Sequence, residues 1–338
     1  MSSIREVARI AGVSPATVSR VMNGTAKVAP EKRDRVLEAI AQTAFVPNEV
    51  ARSLYKKSAK TIGLMIPSIR NPYFTQLADI LDELAGQQGY RLFLCNVGRD
   101  PEKQRAAVQM LASANADGII FASETGEGQT PLTDCPIPVV ALDTRLSAEA
   151  VKASVYSDFY QGGRLAMEHL LACGCESIVC VKGPQQSFSA RGRYAAYRDV
   201  CRERGVAEQT VDCDYDFTAG LAMTAELLNT YPDVDGILAC NDIVAISIYK
   251  ILHQKQIAVP DRIQLVGFDD IDLSSLMSPE LTTVRQPLRE MAEKAMELIV
   301  QREGAAERAE YIFPTTLIQR ETTKKEGEKY EKGRNSQQ

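Results

Sequence analysis

From Thr61 onward the chain alternates short apolar runs with segments of helical periodicity, and this alternation limits the possible folds more than any other feature of the sequence. Seven runs have the length and apolar content of buried strands: TIGLMIP, RLFLCN, DGIIFAS, PVVALD, SIVCVKG, GILACND and IQLVGFDD. Amphipathic patterns such as PYFTQLADILDELAGQQG and QGGRLAMEHLLAC stand between them. A βαβ order of this kind produces parallel sheets covered by helices.

The number of repeats exceeds what one sheet of ordinary size needs, so we predict an α/β body of two Rossmann-like lobes over residues 61–322. The chain is expected to cross between the lobes at Ser154–Asp158 and again at LTTVRQP, and the helix PLREMAEKAMELIVQR would return to the first lobe. The predicted bounds are about 61–157 and 287–315 for the first lobe, and about 158–286 and 316–322 for the second. Residues 323–338 are polar and lack an apolar heptad, which predicts a disordered tail and no tetramer.

Composition argues against several classes of protein. No apolar run has the roughly 18 residues that a membrane helix needs, and Arg5, Glu6 and Arg9 stand where a signal peptide would be apolar. The eight cysteines form no CxxC pair and lie in strand-like contexts, which predicts reduced core thiols in a cytoplasmic protein. With only two histidines, neither a metal site nor histidine catalysis is predicted.

Nucleotide chemistry is also disfavoured, because no strand ends in GxGxxG or GxxxxGK[ST]. The glycines of TGEG at 125–128 are not followed by a helix pattern with a third glycine. We therefore predict no enzymatic activity and no cofactor.

The first 60 residues carry a net charge of +6, whereas the remaining 278 carry −11. A basic segment on an acidic body predicts a polyanionic partner for that segment alone. Its pattern is a short helix with Ile4, Val7, Ala8 and Ile10 on one stripe, followed by a Gly-containing turn.

Ser14 is a suitable N-cap and Pro15 a suitable first residue for a second helix, predicted over Ala16–Met22. Burial of Val18 and Val21 would leave one face outward, formed by Pro15, Ala16, Thr17, Ser19 and Arg20. A third helix is predicted from Pro30 to about Thr43, with Val36, Leu37 and Ile40 inward. This arrangement predicts a helix-turn-helix in residues 1–46.

The outward face suits a DNA duplex because its small residues permit close approach, Arg20 can reach a guanine edge, and Thr17 and Ser19 suit phosphate oxygens. In residues 47–60, Asn48 would cap a helix of one or two turns, too short to be stable alone, which predicts folding on binding. The helix pattern by itself also fits a three-helix bundle without a DNA role.

Polar and aromatic residues follow several predicted strands, where ligands bind in two-lobed α/β proteins. Carboxylates, amides and a guanidinium match sugar hydroxyls, and rings match the sugar's C–H faces. The predicted binding residues are Tyr73, Phe74, Asp143, Ser189, Arg193, Tyr215, Asn241, Asp269 and Gln286. Residues in these segments can also have a purely structural role. Asn71-Pro72 could start a helix, Asp242 could be an N-cap, and Arg191 could be a surface charge.

AGVSPATVSRVMNG and VPNEVARSLYKKSAKTIGLMIP, together with the two-lobed pattern, resemble the lactose-repressor (LacI) family of bacterial transcription regulators from about residue 3 to 322. PNEVARSLYKK, NPYF and GYRLFLCN look most like the ribose-operon repressors of Gram-positive bacteria. The resemblance implies that Pro15, Ala16 and Arg20 read the major groove. It also implies phosphate contacts by Ser3, Thr17, Ser19 and Asn23, and minor-groove insertion of Ala51 and Leu54. The helix caps Ser14 and Asn48 complete the predicted DNA-binding residues.

The body resembles periplasmic sugar-binding proteins, which implies stacking of a sugar on Tyr73, Phe74 and Tyr215. Hydrogen bonds to it would come from Asp143, Arg193, Asn241, Asp269 and Gln286. Two departures stand out: Ala29 precedes the third helix where many members have Ser or Thr, and the order Asp143-Thr144-Arg145 separates the aspartate from the arginine that follows it directly in many ribose binders. The loop could still present Arg145 to the ligand.

The resemblance therefore implies a homodimeric repressor of a sugar-utilisation operon that binds a palindromic operator and a small sugar, ribose favoured. A regulator responding to a purine, a sugar phosphate or a protein coeffector is the nearer alternative. A cytoplasmic sugar-binding protein or enzyme without DNA binding is the alternative of a different class.

Overall fold

The computed structural model describes residues 3–23, 28–45, 58–124, 132, 135–146, 151–301 and 308–325, with the backbone alone at Asn23. The chain forms two compact units, one ending at Ala59 and the other beginning at Lys60. The first contains α1 (Ile4–Ala11), α2 (Pro15–Asn23) and α3 (Pro30–Thr43).

Local capping sets the helix ends of the first unit. Ser3 Oγ accepts from the Glu6 N–H at 3.3 Å, and Gly12 ends α1 in the left-handed conformation. Ser14 Oγ accepts from the Thr17 N–H at 3.2 Å, which starts α2. Ala29 makes no side-chain cap, so α3 lacks a contribution of about 1 kcal/mol.

The small core of this unit is built from Val7, Ala8, Val18, Val36 and Ala39. The prediction that two larger side chains face inward is wrong. Ile10 is 40% exposed and Leu37 50% exposed. The contact between such short helices covers only a narrow stripe, and each of these side chains points away from it by about a quarter turn or more.

The second unit has seven α-helices among its described residues: α4 (Pro72–Gln87), α5 (Pro101–Ser113), α6 (Phe159–Ala172), α7 (Phe188–Arg204), α8 (Phe217–Thr230), α9 (Asp242–Gln254) and α10 (Leu288–Val300). Its strands are β1 (Thr61–Ile66), β2 (Arg91–Asn96), β3 (Gly118–Ala122), β4 (Val139–Leu142), β5 (Val151–Ser157), β6 (Ile178–Val181), β7 (Gln209–Val211), β8 (Gly236–Leu238), β9 (Gln264–Asp269), β10 (Thr282–Arg285), β11 (Ala309–Phe313) and β12 (Thr316–Ile318).

These strands form two six-stranded sheets, in the orders β11-β5-β4-β3-β1-β2 and β12-β10-β9-β8-β6-β7. Every pairing is parallel except that of β10 with β12. The predicted fold class, a helical headpiece with a two-lobed α/β body, is confirmed. Because all strands of a lobe but β12 run the same way, their carboxyl ends share one edge, and the two edges line the space between the lobes.

The chain crosses between the lobes slightly later than predicted. Ser154–Ser157 belongs to strand β5, and the chain leaves the first lobe at Asp158. Likewise 282–285 is strand β10, so only Gln286-Pro287 remains as a crossing. Both segments carry β-branched residues that pair within a sheet before the chain crosses. A third crossing follows Phe313.

The packed body also extends past the predicted start of the tail at residue 323. Thr323 is 4% exposed and its hydroxyl lies 2.8 Å from His169 Nε2. The Lys324 N–H donates to Gln264 Oε1 at 2.8 Å. These bonds satisfy buried polar groups that would otherwise be costly, which holds the segment on the second lobe. Residues 326–338 lie outside the described residues.

All eight cysteines are free thiols and seven of them are buried, so the prediction of core thiols is confirmed. Within the described ranges, every helix is too short or too polar to span a bilayer.

Candidate functional site

A cleft lies between the lobes, and its space, including the part open to solvent, is about 310 Å³. Its lining comes from the ends of strands and the first turns of helices in both lobes. The lining residues are Asn71, Tyr73, Phe74, Ser123, Glu124, Asp143, Ser189, Arg193, Tyr215, Asn241 and Asp269. The structure thus brings together eight of the nine predicted residues, and the ninth, Gln286, bonds directly to Asp269.

The first-lobe wall begins at the amino end of α4. Asn71 caps this helix by accepting from the Tyr73 N–H at 3.1 Å, and Pro72 occupies the first turn. This places the rings of Tyr73 and Phe74 side by side, with centroids 5.1 Å apart and planes at 82°. The wall is therefore aromatic and preorganised. The interpretation of Asn71-Pro72 as a helix start is correct, and the same segment also lines the cleft.

The second-lobe wall is organised around Arg193, which is only 8% exposed. Its guanidinium lies 4.4 Å from the centre of the Phe268 ring and donates to the hydroxyl of Tyr215 and, at 3.4 Å, to Ser189 Oγ. Ser189 and Arg193 lie in the first two turns of helix α7, which begins at Phe188. A helix fixes the direction of the guanidinium more firmly than a loop would.

Two aspartates reach the cleft from backbone positions of positive φ. Asp143 follows β4 with φ 59°, and Asp269 ends β9 with φ 121°. Gln286 Nε2 donates to Asp269 Oδ1 at 2.9 Å, which orients that carboxylate. Non-glycine residues rarely adopt such a conformation, and it is concentrated at binding sites where the surroundings hold it in place.

Burial shifts the ionisation of these groups. It raises the pKa of Asp143 to about 7, against the lowering effects of the Tyr73 hydroxyl and Arg193. Burial, and next the Asp242 carboxylate, raise the pKa of Asp269 well above its usual range. Burial also raises the pKa of Glu124, although Arg99 opposes this. The cleft therefore holds more carboxylate groups than its buried cation can balance.

Two polar atoms of the cleft are buried without a hydrogen-bond partner among the described residues, Asp143 Oδ1 and Arg193 Nε. One is an acceptor on the first lobe and the other a donor on the second. Leaving such atoms unpaired costs about 1–3 kcal/mol each, so both are suited to a polar ligand held between the lobes.

Sequence reasoning missed Ser123 and Glu124, which follow β3 and line the cleft. The signal that could have found them was present, because the run DGIIFAS ends there and the rule of carboxyl strand ends applies to it equally. Arg99, which binds Glu124, carried no comparable signal, since it lies in the loop after β2 among ordinary surface residues.

Three residues for which the sequence allowed more than one role are not part of the cleft lining. Arg145, half exposed, pairs with Glu310 at 2.9 Å and is not among the residues that line the cleft. Asp242 is not the N-cap of α9, a place taken by Asn241, but accepts from Ser274 Oγ at 2.7 Å and so holds the segment after β9. Arg191 donates to the carbonyl of Gln186 at the surface.

In the headpiece, the predicted outer face of α2 is open to solvent. Pro15, Ala16 and Arg20 are exposed, whereas Thr17 and Ser19 are half buried beside the buried Val18. Ser3 and Ser14, both exposed, act as helix caps. The side chain of Asn23 and the residues Asn48, Ala51 and Leu54 lie outside the described residues.

Two family profiles match this chain. Residues 3–48 match that of bacterial regulatory proteins, lacI family, and residues 167–323 match that of the periplasmic binding protein-like domain.

Curated relatives cover almost the whole chain. The ribose operon repressor of Halalkalibacterium halodurans is 38% identical over 326 residues, 96% of this chain and 98% of that protein. The transcriptional repressor PurR of Vibrio campbellii is 33% identical, over 96% of this chain and 99% of the relative.

Solved structures agree in fold. The lac repressor dimer bound to operator and the anti-inducer ONPF has a TM-score of 0.86 at 28% identity, covering 95% of this chain and 98% of that one. A periplasmic binding protein/LacI transcriptional regulator from Alkaliphilus metalliredigens, complexed with D-xylulofuranose, has a TM-score of 0.70 at 33% identity. It covers 78% of this chain and 99% of that one.

Proposed function

This chain belongs to the LacI family of bacterial regulatory proteins, and from that premise we propose that it is a transcriptional repressor whose binding to a palindromic operator is controlled by a small neutral sugar, ribose favoured. The sugar would bind in the cleft between the lobes. The protein acts without catalysis or a cofactor, in the cytoplasm, as a homodimer.

The headpiece supports the DNA-binding half of the proposal. Its second helix exposes Pro15, Ala16 and Arg20 on one face. The first two are small enough to allow close approach to base edges, and a guanidinium matches guanine O6 and N7. Ser3, Thr17, Ser19 and Asn23 would hold phosphates on either side, and Ala51 and Leu54 would enter the minor groove.

The effector half rests above all on the two unpaired buried atoms, Asp143 Oδ1 and Arg193 Nε. A sugar hydroxyl both donates and accepts, so a single polyol can satisfy the acceptor on one lobe and the donor on the other. The aromatic residues Tyr73, Phe74 and Tyr215 offer apolar surface for the C–H faces of the sugar ring. A ligand that bridges the lobes in this way binds the closed arrangement better than the open one, which is what control of DNA binding requires.

Charge in the cleft argues against a phosphorylated effector. Asp143, Asp269 and Glu124 line it with carboxylates, whereas Arg193 is the guanidinium in the lining. A phosphate would meet like charge in a low-dielectric site, where repulsion is strong. A neutral pentose avoids this cost, and the ribose operon repressor among the relatives points to the same class of ligand.

A purine is the second candidate, because the PurR relative is 33% identical over nearly the whole chain. The rings of Tyr73 and Phe74 could contact a flat base. Their planes are nearly perpendicular, however, so only one of them could lie parallel to the base.

The test uses the full chain. DNA selected from a pool of random palindromic duplexes provides the operator, and its affinity is then measured with D-ribose, other pentoses, hexoses, sugar phosphates and purine bases. We expect sequence-selective DNA and a change in its affinity with ribose and not with ribose 5-phosphate. A response to a purine alone would replace the sugar proposal, and selection of no preferred duplex would reject the repressor proposal.

We predict that ribose affinity depends on pH through Asp143, whose pKa burial raises to about 7. If a sugar hydroxyl donates to the ionised carboxylate, binding weakens about tenfold between pH 8 and pH 6, as the carboxylate becomes protonated. The unliganded protein changes in the opposite direction: the folded-state pKa lies above the unfolded one, so this group's contribution to stability is lost as pH rises through 7. Calorimetric titration and thermal unfolding across this range check both trends. Equal affinity at pH 6 and 8 would contradict the assigned contact.

For the homodimer, the edge strand β2 offers an apolar surface. Phe93 and Leu94 are 48% and 47% exposed, and the neighbouring Ile69 is 50% exposed. An exposed apolar sheet edge of this kind is normally covered, and a second copy is the occupant that an operator-binding dimer supplies. The outer face of α4 carries Thr75, Asp79 and other polar groups and would form the rim of this interface.

We predict that the double substitution Phe93→Asp/Leu94→Asp converts the dimer into a 37.1 kDa monomer and weakens operator binding, because it places charges in the buried centre of the interface. Met110→Asp, on the exposed face of α5, is the matched control and should remain dimeric. Sedimentation velocity distinguishes the species. A wild-type tetramer would exclude this arrangement as the complete assembly.

A further inference from the structure

One ion-pair cluster joins the two lobes at the rim of the cleft. Arg99 follows β2 in the first lobe, and Asp214 lies between β7 and α8 in the second. Arg99 Nη1 lies 3.0 Å from Asp214 Oδ1, while its Nε and Nη2 lie 3.2 and 3.0 Å from Glu124 Oε2. One guanidinium thus binds a carboxylate of each lobe.

The Glu124 end of this cluster belongs to the cleft itself. The side chain of Glu124 is 12% exposed and lines the cavity, whereas those of Arg99 and Asp214 are 34% and 57% exposed. Glu124 occupies the Nε edge of the guanidinium, which leaves Nη1 pointing toward the second lobe. Glu124 therefore orients Arg99 as well as contributing a carboxylate to the ligand site.

Both ends are anchored to the ligand-binding walls. Behind Arg99, the buried Gln104 donates to the Gly98 carbonyl at 3.0 Å and fixes the loop. Asp214 directly precedes Tyr215, whose hydroxyl accepts from Arg193. A separation of the lobes would break the Arg99–Asp214 pair first, since its atoms lie on opposite sides of the cleft, while the Arg99–Glu124 pair lies within one lobe and would persist.

We propose that Arg99 is a cross-lobe tie, oriented by Glu124, that stabilises the closed cleft and slows release of the ligand. The ligand aspect rests on the proposed function, but the tie itself is a property of the unliganded chain. Arg99 and Asp214 are positioning residues that act on closure, and Glu124 connects that closure to the ligand-lined wall.

The test measures the distance between the lobes in the full-length dimer. Fluorophores are attached through unnatural amino acids at the exposed positions Gln109 and Glu226, one on each lobe, and single-molecule energy transfer records open and closed populations with and without D-ribose. We expect Arg99→Gln and Asp214→Asn each to raise the open-to-closed ratio about two- to fivefold, the range for an ion pair whose two side chains are both partly exposed. The double variant should be no more open than either single variant, because both remove the same contact.

Arg105→Gln is the matched control, because Arg105 pairs with Glu102 within the first lobe alone and should leave the populations unchanged. Unchanged populations in Arg99→Gln or in Asp214→Asn, or additive effects in the double variant, would overturn the tie. So would a wild-type protein with no closed population in either condition. A wild-type protein that closes without responding to ribose would instead reject the sugar proposal. The tie would then be tested by comparing the open-to-closed ratios of wild type and variants without ligand.

In the same variants, ribose should dissociate about two- to fivefold faster, with little change in the association rate, because the tie forms only after the lobes meet. Stopped-flow measurement of ribose release supplies this second readout. A variant with more open lobes and an unaltered release rate would overturn the role of the tie in ligand retention.

Discussion

Asp143→Asn should weaken ribose binding about 10- to 150-fold, which corresponds to the roughly 1.5–3 kcal/mol of a hydrogen bond to a charged group. Asn keeps the size of the side chain and tolerates the positive φ of 59° at this position. It removes the anionic acceptor, Asp143 Oδ1, that is buried without a partner. At 100 times the wild-type dissociation constant, the ligand should add about 2.7 kcal/mol to the unfolding free energy of the wild type but only about 0.3–1.4 kcal/mol to that of the variant.

Two comparisons separate loss of binding from loss of folding. Because burial disfavours the charged form of Asp143, the unliganded Asn variant should be at least as stable as the wild type at pH 8. Arg145→Gln, two residues along the same loop, is the matched control and should bind ribose normally, since Arg145 pairs with Glu310 outside the cleft. Normal binding by Asp143→Asn with impaired binding by Arg145→Gln would mean that the wrong side of this loop had been assigned to the ligand.

Arg20→Ala should reduce operator affinity about 5- to 150-fold for each half-site, since a bidentate contact to guanine contributes roughly 1–3 kcal/mol. Arg20 is exposed on α2 and its truncation removes little from the headpiece core, which is formed by Val7, Val18 and other small apolar residues. The loss should concentrate on the selected duplex, so that binding to unrelated DNA changes much less.

Arg9→Ala is the matched control for charge, because Arg9 is equally exposed but lies in the last turn of α1. It should lower affinity for selected and unrelated DNA by a similar small factor, as expected for loss of a general electrostatic contribution. Fluorescence anisotropy with both duplexes checks the two variants. An equal effect of Arg20→Ala on both duplexes would make Arg20 a phosphate contact rather than a base-reading residue.

The elements that the sequence predicted well are those whose signal is local. Strand β1 reads as six consecutive apolar or small residues, and all six are buried. Helix α3 begins at Pro30 and ends at Thr43 as predicted, because proline marks the first turn and the apolar spacing continues from there. The prediction that Leu37 faces inward was wrong, because a periodic pattern does not show how wide a stripe of the helix its neighbours cover.

The cleft residues were predictable as a set because parallel strands bring their carboxyl ends to one edge whatever the details of packing. Asp143, Asn241 and Asp269 each follow an apolar run directly, and all three line the cleft. The start of helix α7 has a weaker signal, because its cap residue Ser187 makes no side-chain capping bond, and only the structure shows that Ser189 and Arg193 lie in its first two turns.

The sequence by itself determined the helix-turn-helix pattern, the two-lobed α/β body and the polar, aromatic character of the site, because periodicity, capping and strand ends depend on residues close together in the chain. Only the tertiary structure decided which polar atoms are left without partners, that Arg145 turns toward Glu310, and that Arg99 spans the lobes to Asp214. Arg99 and Asp214 are far apart in the chain, and the sequence does not distinguish a charged loop residue that forms an ion pair from one that stays solvated. Only the fold brings the charged atoms of these two side chains within 3.0 Å.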